Sequence, residues 1–150
     1  MTLPPTIHAS AVLAGPRALL IRGPAGSGKS RLAFAVIAAA RSGLIAFARL
    51  IGDDRVHIEA AHGRLLVRPA ATLTGLIEVR GLGIRRLPCE PVAAVGLVVD
   101  LGASDAERLP AAKSASAELQ GIVLPRLAVA PAADPVPILL AALNTADSAR

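Results

Sequence analysis

The segment GPAGSGKS, residues 23–30, constrains what this chain can fold into more than any other. It fits the pattern G-x-x-x-x-G-K-[ST] throughout, and its flanks have the composition such a pattern needs. RALLIRG before it reads as a short apolar strand, and KSRLAFAVIAAARSG after it as an alanine-rich helix that Gly43 is suited to end. A strand, a glycine-rich turn and a helix N-terminus in that order aim backbone N–H groups and the positive end of a helix dipole at an anion. The turn, Gly23, Pro24, Ala25, Gly26, Ser27, Gly28, Lys29 and Ser30, is therefore expected to cradle the phosphates of a nucleotide. Lys29 would reach the β- and γ-phosphates and Ser30 would ligate magnesium. The motif predicts a nucleotide and a metal without naming a reaction.

Composition sharpens the role of Lys29. Of the 16 basic residues 14 are arginine and two are lysine, so arginine usually serves where the chain needs only positive charge. The compact ammonium of Lys29 enters a phosphate cradle as a point charge, where a planar guanidinium fits a different geometry. The net charge of +5 raises the question of a nucleic-acid partner, but the arginines are scattered and aromatic residues make up only 1% of the chain. Stacking platforms for bases are nearly absent, and no nucleic-acid partner is expected.

A chain of 150 residues with 53% hydrophobic content fits one domain, residues 1–150, with a substantial core. The longest apolar run, LAFAVIAAA at 32–40, is about half of the roughly 18–20 residues a membrane span needs. The opening MTLPPTIHAS lacks the regions of a signal peptide, so the expectation is a cytoplasmic protein with no membrane partner. The lone Cys89 excludes an internal disulfide, and no cysteine/histidine cluster has zinc-ligand spacing.

Phosphoryl transfer requires a carboxylate near the magnesium and, for an alcohol acceptor, a base within reach of its hydroxyl. Two segments offer acids. AVGLVVDLG ends an apolar run at Asp100, in the manner of a strand-end aspartate; ARLIGDDRVHIEA offers the adjacent Asp53 and Asp54. Neighbouring carboxylates repel, so one suits proton transfer while the other stays charged beside a cation. Spacing alone leaves both segments open. After the pair, RVHIEA and RLLVRPA across AHG read as a β-hairpin near 56–69. In LIEVRGLGIRRLP, residues 76–88, Glu78 and Arg80 alternate with Ile77 and Val79 and would share one face of an extended chain, with Gly81 and Gly83 allowing a sharp turn. Further strands are expected near 95–100 and 121–130, and a helix in DPVPILLAALNTADSA.

Taken in order, IHAS at 7–10, GPAGSGKS, LIGDDRV at 50–56 and IEVRGLGI at 77–84 resemble the HPr kinase/phosphorylases, bacterial enzymes that phosphorylate and dephosphorylate a serine of the small phosphocarrier protein HPr. The resemblance covers roughly residues 7 to 110. It implies an α/β fold: a P-loop nucleotide-binding domain with a mixed sheet of the kind found in phosphoenolpyruvate carboxykinases, in a homo-oligomer that is usually a hexamer. It implies ATP and Mg2+ as cofactors, inorganic phosphate and pyrophosphate in the reverse reaction, and HPr as partner. Asp53 would be the catalytic aspartate and Asp54 its supporting neighbour. Glu78 would be a second metal-site carboxylate and Arg80 the arginine bracing the acidic cluster. His8 resembles a histidine near the cradle. AERLP at 106–110 resembles the mobile substrate loop, making Arg108 a contact to HPr or its phosphoserine. Asp100 becomes the end of a core strand.

The chain departs from the family in two ways. Members usually carry an additional N-terminal domain, whereas the cradle here starts 22 residues from the first methionine, as in a short form made of the catalytic part. After GIVLPRLAV the chain reads APAAD where the family has a Pro-Gly-Arg-Asn-like segment. The rival expectations are a small-molecule kinase, a nucleotide hydrolase leaning on Asp100, and an ATP-sensing regulatory module that binds a partner protein without chemistry.

Overall fold

A computed structural model of the chain describes residues 3–146. Eleven strands and two α-helices lie along these residues. β3 (Arg17–Arg22) runs up the middle of the main sheet, between β2 (Ser10–Ala14), antiparallel to it, and β9 (Ala93–Asp100), parallel to it. Beyond β2 lies β4 (Ala48–Gly52). On the far side of β9 the sheet forks. The start of β9 pairs with β6 (Arg64–Pro69), and its end pairs in parallel with β11 (Ile122–Ala128). β5 (Arg55–Ala61) continues from β6 and carries β1 (Thr6–His8) at its edge, while β10 (Ser116–Leu119) hairpins onto β11. The β5–β6 hairpin turns at His62 and Gly63, both with positive φ, the geometry a two-residue turn uses to match strand twist.

Alternation along β3 sends its side chains to two cores. Leu19 and Ile21 join Leu32, Val36 and Ile37 of α1 (Lys29–Arg41) on one face, whereas Ala18 and Leu20 meet Ile51, Val56, Leu65 and Val67 on the other. The second core exists because the sheet curls until the β5–β6 hairpin covers its own far face. Leu20 and Ile21 are fully buried, and truncating either to alanine is expected to cost about 2–5 kcal/mol. α1 buries Leu32, Ala33, Val36, Ile37 and Ala39, a helical stripe against this sheet. The helix ends as expected at Gly43, where Leu44 N–H donates to Ala39 and Gly43 N–H to Ala40, the two bonds of a Schellman cap. α2 (Pro135–Asn144) begins at Asp134, whose carboxylate accepts from Val136 N–H at 3.0 Å, and packs Leu139 into the first core. The expected helix over 134–149 thus ends at Asn144, and its last residues, 147–149, lie outside those described.

Two expectations are corrected. The extended run IEVR stops at Val79: β7 (Leu76–Val79) and β8 (Gly83–Arg86) form a separate hairpin, and Arg80 sits in its turn. The positive φ of Gly81 and Gly83 bends the chain before the alternation can continue. The strand expected over 121–130 is shorter, 122–128, and has an antiparallel partner, β10, that the sequence pattern does not announce.

Candidate functional site

The ends of β3, β4 and β9 and the start of β2 meet at one edge of the sheet, the edge where α/β proteins build their ligand sites. From there residues 23–28 loop into α1, whose N-cap is Gly28 with φ 100° and no capping side chain. The first N–H groups of the helix are therefore left to an incoming anion. Gly23 lies where nothing larger fits: a Cβ there would sit 2.5 Å from Ser27 Oγ and 3.1 Å from the Leu101 carbonyl oxygen. The Lys29 ammonium bends back over the loop and donates to the carbonyls of Gly23 (2.8 Å) and Pro24 (3.2 Å), which hold it above the cradle.

Asp53 closes the base of this site. It follows the last residue of β4 and is 5% exposed. Its Oδ1 accepts from Ser10 Oγ and from Ser30 Oγ, each at 2.7 Å. Its Oδ2 accepts from Ser30 Oγ at 2.9 Å and from the Glu78 N–H at 3.3 Å. Ser10, wholly buried at the start of β2, also accepts from Asp54 N–H. Asp54 has a φ of 69°, a conformation aspartate tolerates better than most residues, and it stands exposed at the cleft wall.

The cleft above has a volume of ≈ 720 Å³, enough for a nucleotide. Along its walls stand His8, the loop from Gly23 to Ser30 apart from Ser27, Arg31, Phe34, Asp54, Glu78, Val79 and Arg80. Of the residues singled out in the sequence, the structure thus gathers His8, Lys29, Ser30, Asp54, Glu78 and Arg80 in one cleft, with Asp53 directly beneath. Arg108 is not among the lining residues; it stands exposed in the segment between β9 and β10. Three residues of the wall lie outside the sequence candidates: Arg31 and Phe34, on one face of α1, and Val79, at the end of β7. Phe34 is one of only two phenylalanines in the chain, a scarcity that could have drawn attention to it.

The oxygen set fits magnesium. The Ser30 hydroxyl and the Asp53 carboxylate share a short hydrogen bond at the cradle's base, the hard donors such an ion takes together with phosphate oxygens and water. Among the described residues no group of three or more His, Cys, Asp or Glu side chains converges to hold an ion unaided. Asp53, Asp54 and Glu78 thus surround the place without forming a cage.

Asp100 is engaged elsewhere. Arg22 grips it with two bonds, Nε at 2.7 Å and Nη2 at 2.8 Å, and Arg126 Nε adds a third at 2.6 Å. Burial works to raise its pKa, but the hydrogen bonds and charges of Arg22 and then Arg126 outweigh this and hold the carboxyl below its ordinary value. A carboxylate so clamped is committed to holding the ends of β3, β9 and β11 together.

No protein-family model matches the chain. It is 37% identical over 70 residues to an HPr kinase/phosphorylase of Clostridium tetani (strain Massachusetts / E88), an alignment covering 47% of this chain and 21% of that relative. Its fold is that of the HPr(Ser) kinase/phosphatase from Coxiella burnetii, with a TM-score of 0.71 and 23% identity over 92% of each chain. Among the described residues no helix is long and apolar enough to cross a membrane.

Proposed function

We propose that this chain is an ATP- and Mg2+-dependent protein kinase acting on a serine of HPr, with the reverse phosphorylase reaction at the same site. The observation that carries the reading is the Ser30–Asp53 pair at the floor of a phosphate cradle whose wall presents Asp54 and Glu78. Local similarity to an HPr kinase/phosphorylase and the shared fold support it.

Magnesium, bound through the nucleotide phosphates, Ser30 and Asp53, would neutralise charge on the transferring group. The residues do the rest. The backbone N–H groups of the loop and the Lys29 ammonium hold the β- and γ-phosphates, and Phe34, one turn above Ser30 on α1, offers the nucleoside base a face to stack on. The resemblance makes Asp53 the catalytic aspartate. Its two oxygens are engaged by Ser10, Ser30 and the Glu78 N–H, which supports a role in orienting Ser30. Asp54, exposed in the cleft, is a carboxylate an acceptor hydroxyl can reach, and in our reading it takes the serine proton. In reverse, inorganic phosphate in the cradle attacks phosphoserine, the serine oxygen leaves with the proton returned by Asp54, and pyrophosphate forms. His8 and Arg80 face the acceptor side, and Arg108 reaches HPr from the neighbouring loop. An enzyme of this kind works in the cytoplasm; the hexamer implied by the resemblance remains part of the proposal.

The test is incubation of the purified protein with HPr and labelled Mg-ATP, mapping of any transferred phosphate, then addition of inorganic phosphate. Phosphoserine on HPr that is lost again as pyrophosphate is expected. ATP binding with no transfer in either direction would replace the kinase by the ATP-sensing module.

A further inference from the structure

The segment between β9 and β10, residues 101–115, leaves the sheet at the rim of the phosphate cradle. A Cβ on Gly102 would lie 3.4 Å from Pro24, in the cleft wall, and Leu101 N–H donates to the carbonyl of Arg22, the residue before the cradle begins. The tip of the segment is solvent-exposed, with Leu109 79% accessible, and it carries Arg108. Its two roots, however, meet at one side chain. Arg126, on β11 and 13% exposed, donates from Nη1 and Nη2 to the two carboxylate oxygens of Asp105 at 2.8 and 3.0 Å, and from Nη1 to the Ser114 carbonyl at 2.9 Å. Its Nε holds Asp100, which Arg22 grips from the other side.

We propose that Arg126 is a positioning residue for the phosphoryl acceptor: its single guanidinium ties both roots of the 106–113 loop to Asp100 at the cradle's edge and so fixes where Arg108 meets an acceptor protein. The planar fork is what makes this possible, since a guanidinium presents five N–H donors in fixed directions and a lysine ammonium cannot span the same partners. Fixing both ends of a short loop removes much of the freedom its tip would otherwise lose on binding. The hydrogen bonds from Arg126 also hold Asp105 below its ordinary pKa, and Asp105 followed by Asp100 raises that of Arg126, so both stay charged at neutral pH. What the loop meets rests on the kinase reading; the tie itself does not.

The test uses Asp105, whose side chain is 50% exposed, so its removal spares the core. In Asp105→Ala, amide hydrogen exchange of residues 104–113 should accelerate several-fold while that of 23–30 is unchanged. With HPr as acceptor, KM for HPr should rise several-fold with kcat and KM for ATP unaltered, and Asp105→Glu should restore both readouts in large part. Arg126→Lys should reproduce the loosening of the loop. Faster exchange in a chain that transfers no phosphate to HPr would support the tie and retire the kinase reading. Unchanged exchange at 104–113 in Asp105→Ala would overturn the proposal whatever the activity, and so would faster exchange accompanied by an unchanged KM for HPr.

Discussion

The hydroxyl of Ser30, in the first turn of α1, lies 2.7 Å from one carboxylate oxygen of Asp53 and 2.9 Å from the other. The two adjacent aspartates thus sit in different surroundings, Asp53 bonded to Ser30 and Asp54 open to the cleft. Asp53→Asn should therefore weaken Mg-ATP binding about tenfold or more while binding of the nucleotide without metal changes little. Asp54→Asn should leave Mg-ATP affinity intact and reduce kcat by roughly a hundred- to ten-thousandfold. Titration calorimetry with and without magnesium, beside single-turnover transfer to HPr, separates the two. Retained transfer in Asp54→Asn, with transfer lost at undiminished nucleotide affinity in Asp53→Asn, would return the base role to Asp53.

Gly23→Ala tests the cradle itself. The added methyl would meet Ser27 Oγ at 2.5 Å and the Leu101 backbone, so the loop must shift. Far-UV circular dichroism should stay native while Mg-ATP no longer raises the melting temperature, because stabilisation by a ligand vanishes with its binding.

Phe34→Ala should distinguish base from phosphates. ATP affinity is expected to fall about tenfold, in the range of a lost stacking contact, whereas tripolyphosphate should bind as before. An equal loss for both ligands would mean that the ring only supports the helix.

Asp100 makes stability depend on acid in a defined direction. Its folded-state pKa is lowered, so the stability it adds is fully present above the unfolded-state value of 3.8 and is lost as pH falls from there through the lowered value. Asp100→Asn removes the negative charge and one of the acceptor oxygens that Arg22 and Arg126 share and should cost about 2 kcal/mol at pH 7. Urea midpoints for the two proteins should converge as the pH is lowered past about 4.

What the sequence made legible was local. The cradle, α1 with its Gly43 stop and the β5–β6 hairpin each carry their signal within a short window. β2 and β10 do not: SAVLA and SAEL have little strand character of their own and extend because β3, β4 and β11 pair with them. The floor of the site was half legible. Asp53 and Ser30 stand in recognisable motifs, but Ser10, which completes the contact, is 43 positions from Asp53 and reaches it only through the pairing of β2 with β4. The grip on Asp100 was hidden for the same reason, since Arg22 and Arg126 are two of 14 arginines with nothing local to mark them. Arg80 was placed by alternation that Gly81 interrupts, yet it still reached the cleft expected of it.

The parallel pairing of β3 with β9 has a consequence for how the chain acquires its shape. Arg22 and Asp100, at the mouth of the cradle, are 78 residues apart in sequence, whereas the β5–β6 hairpin closes across a two-residue turn. Closing the long connection is entropically expensive before the contact is made, so such pairings form slowly while hairpins take only microseconds. Strand signal should thus return early during refolding from urea, and fluorescence of a bound nucleotide analogue late. Competence to hold a phosphate is then the marker that the chain has finished folding.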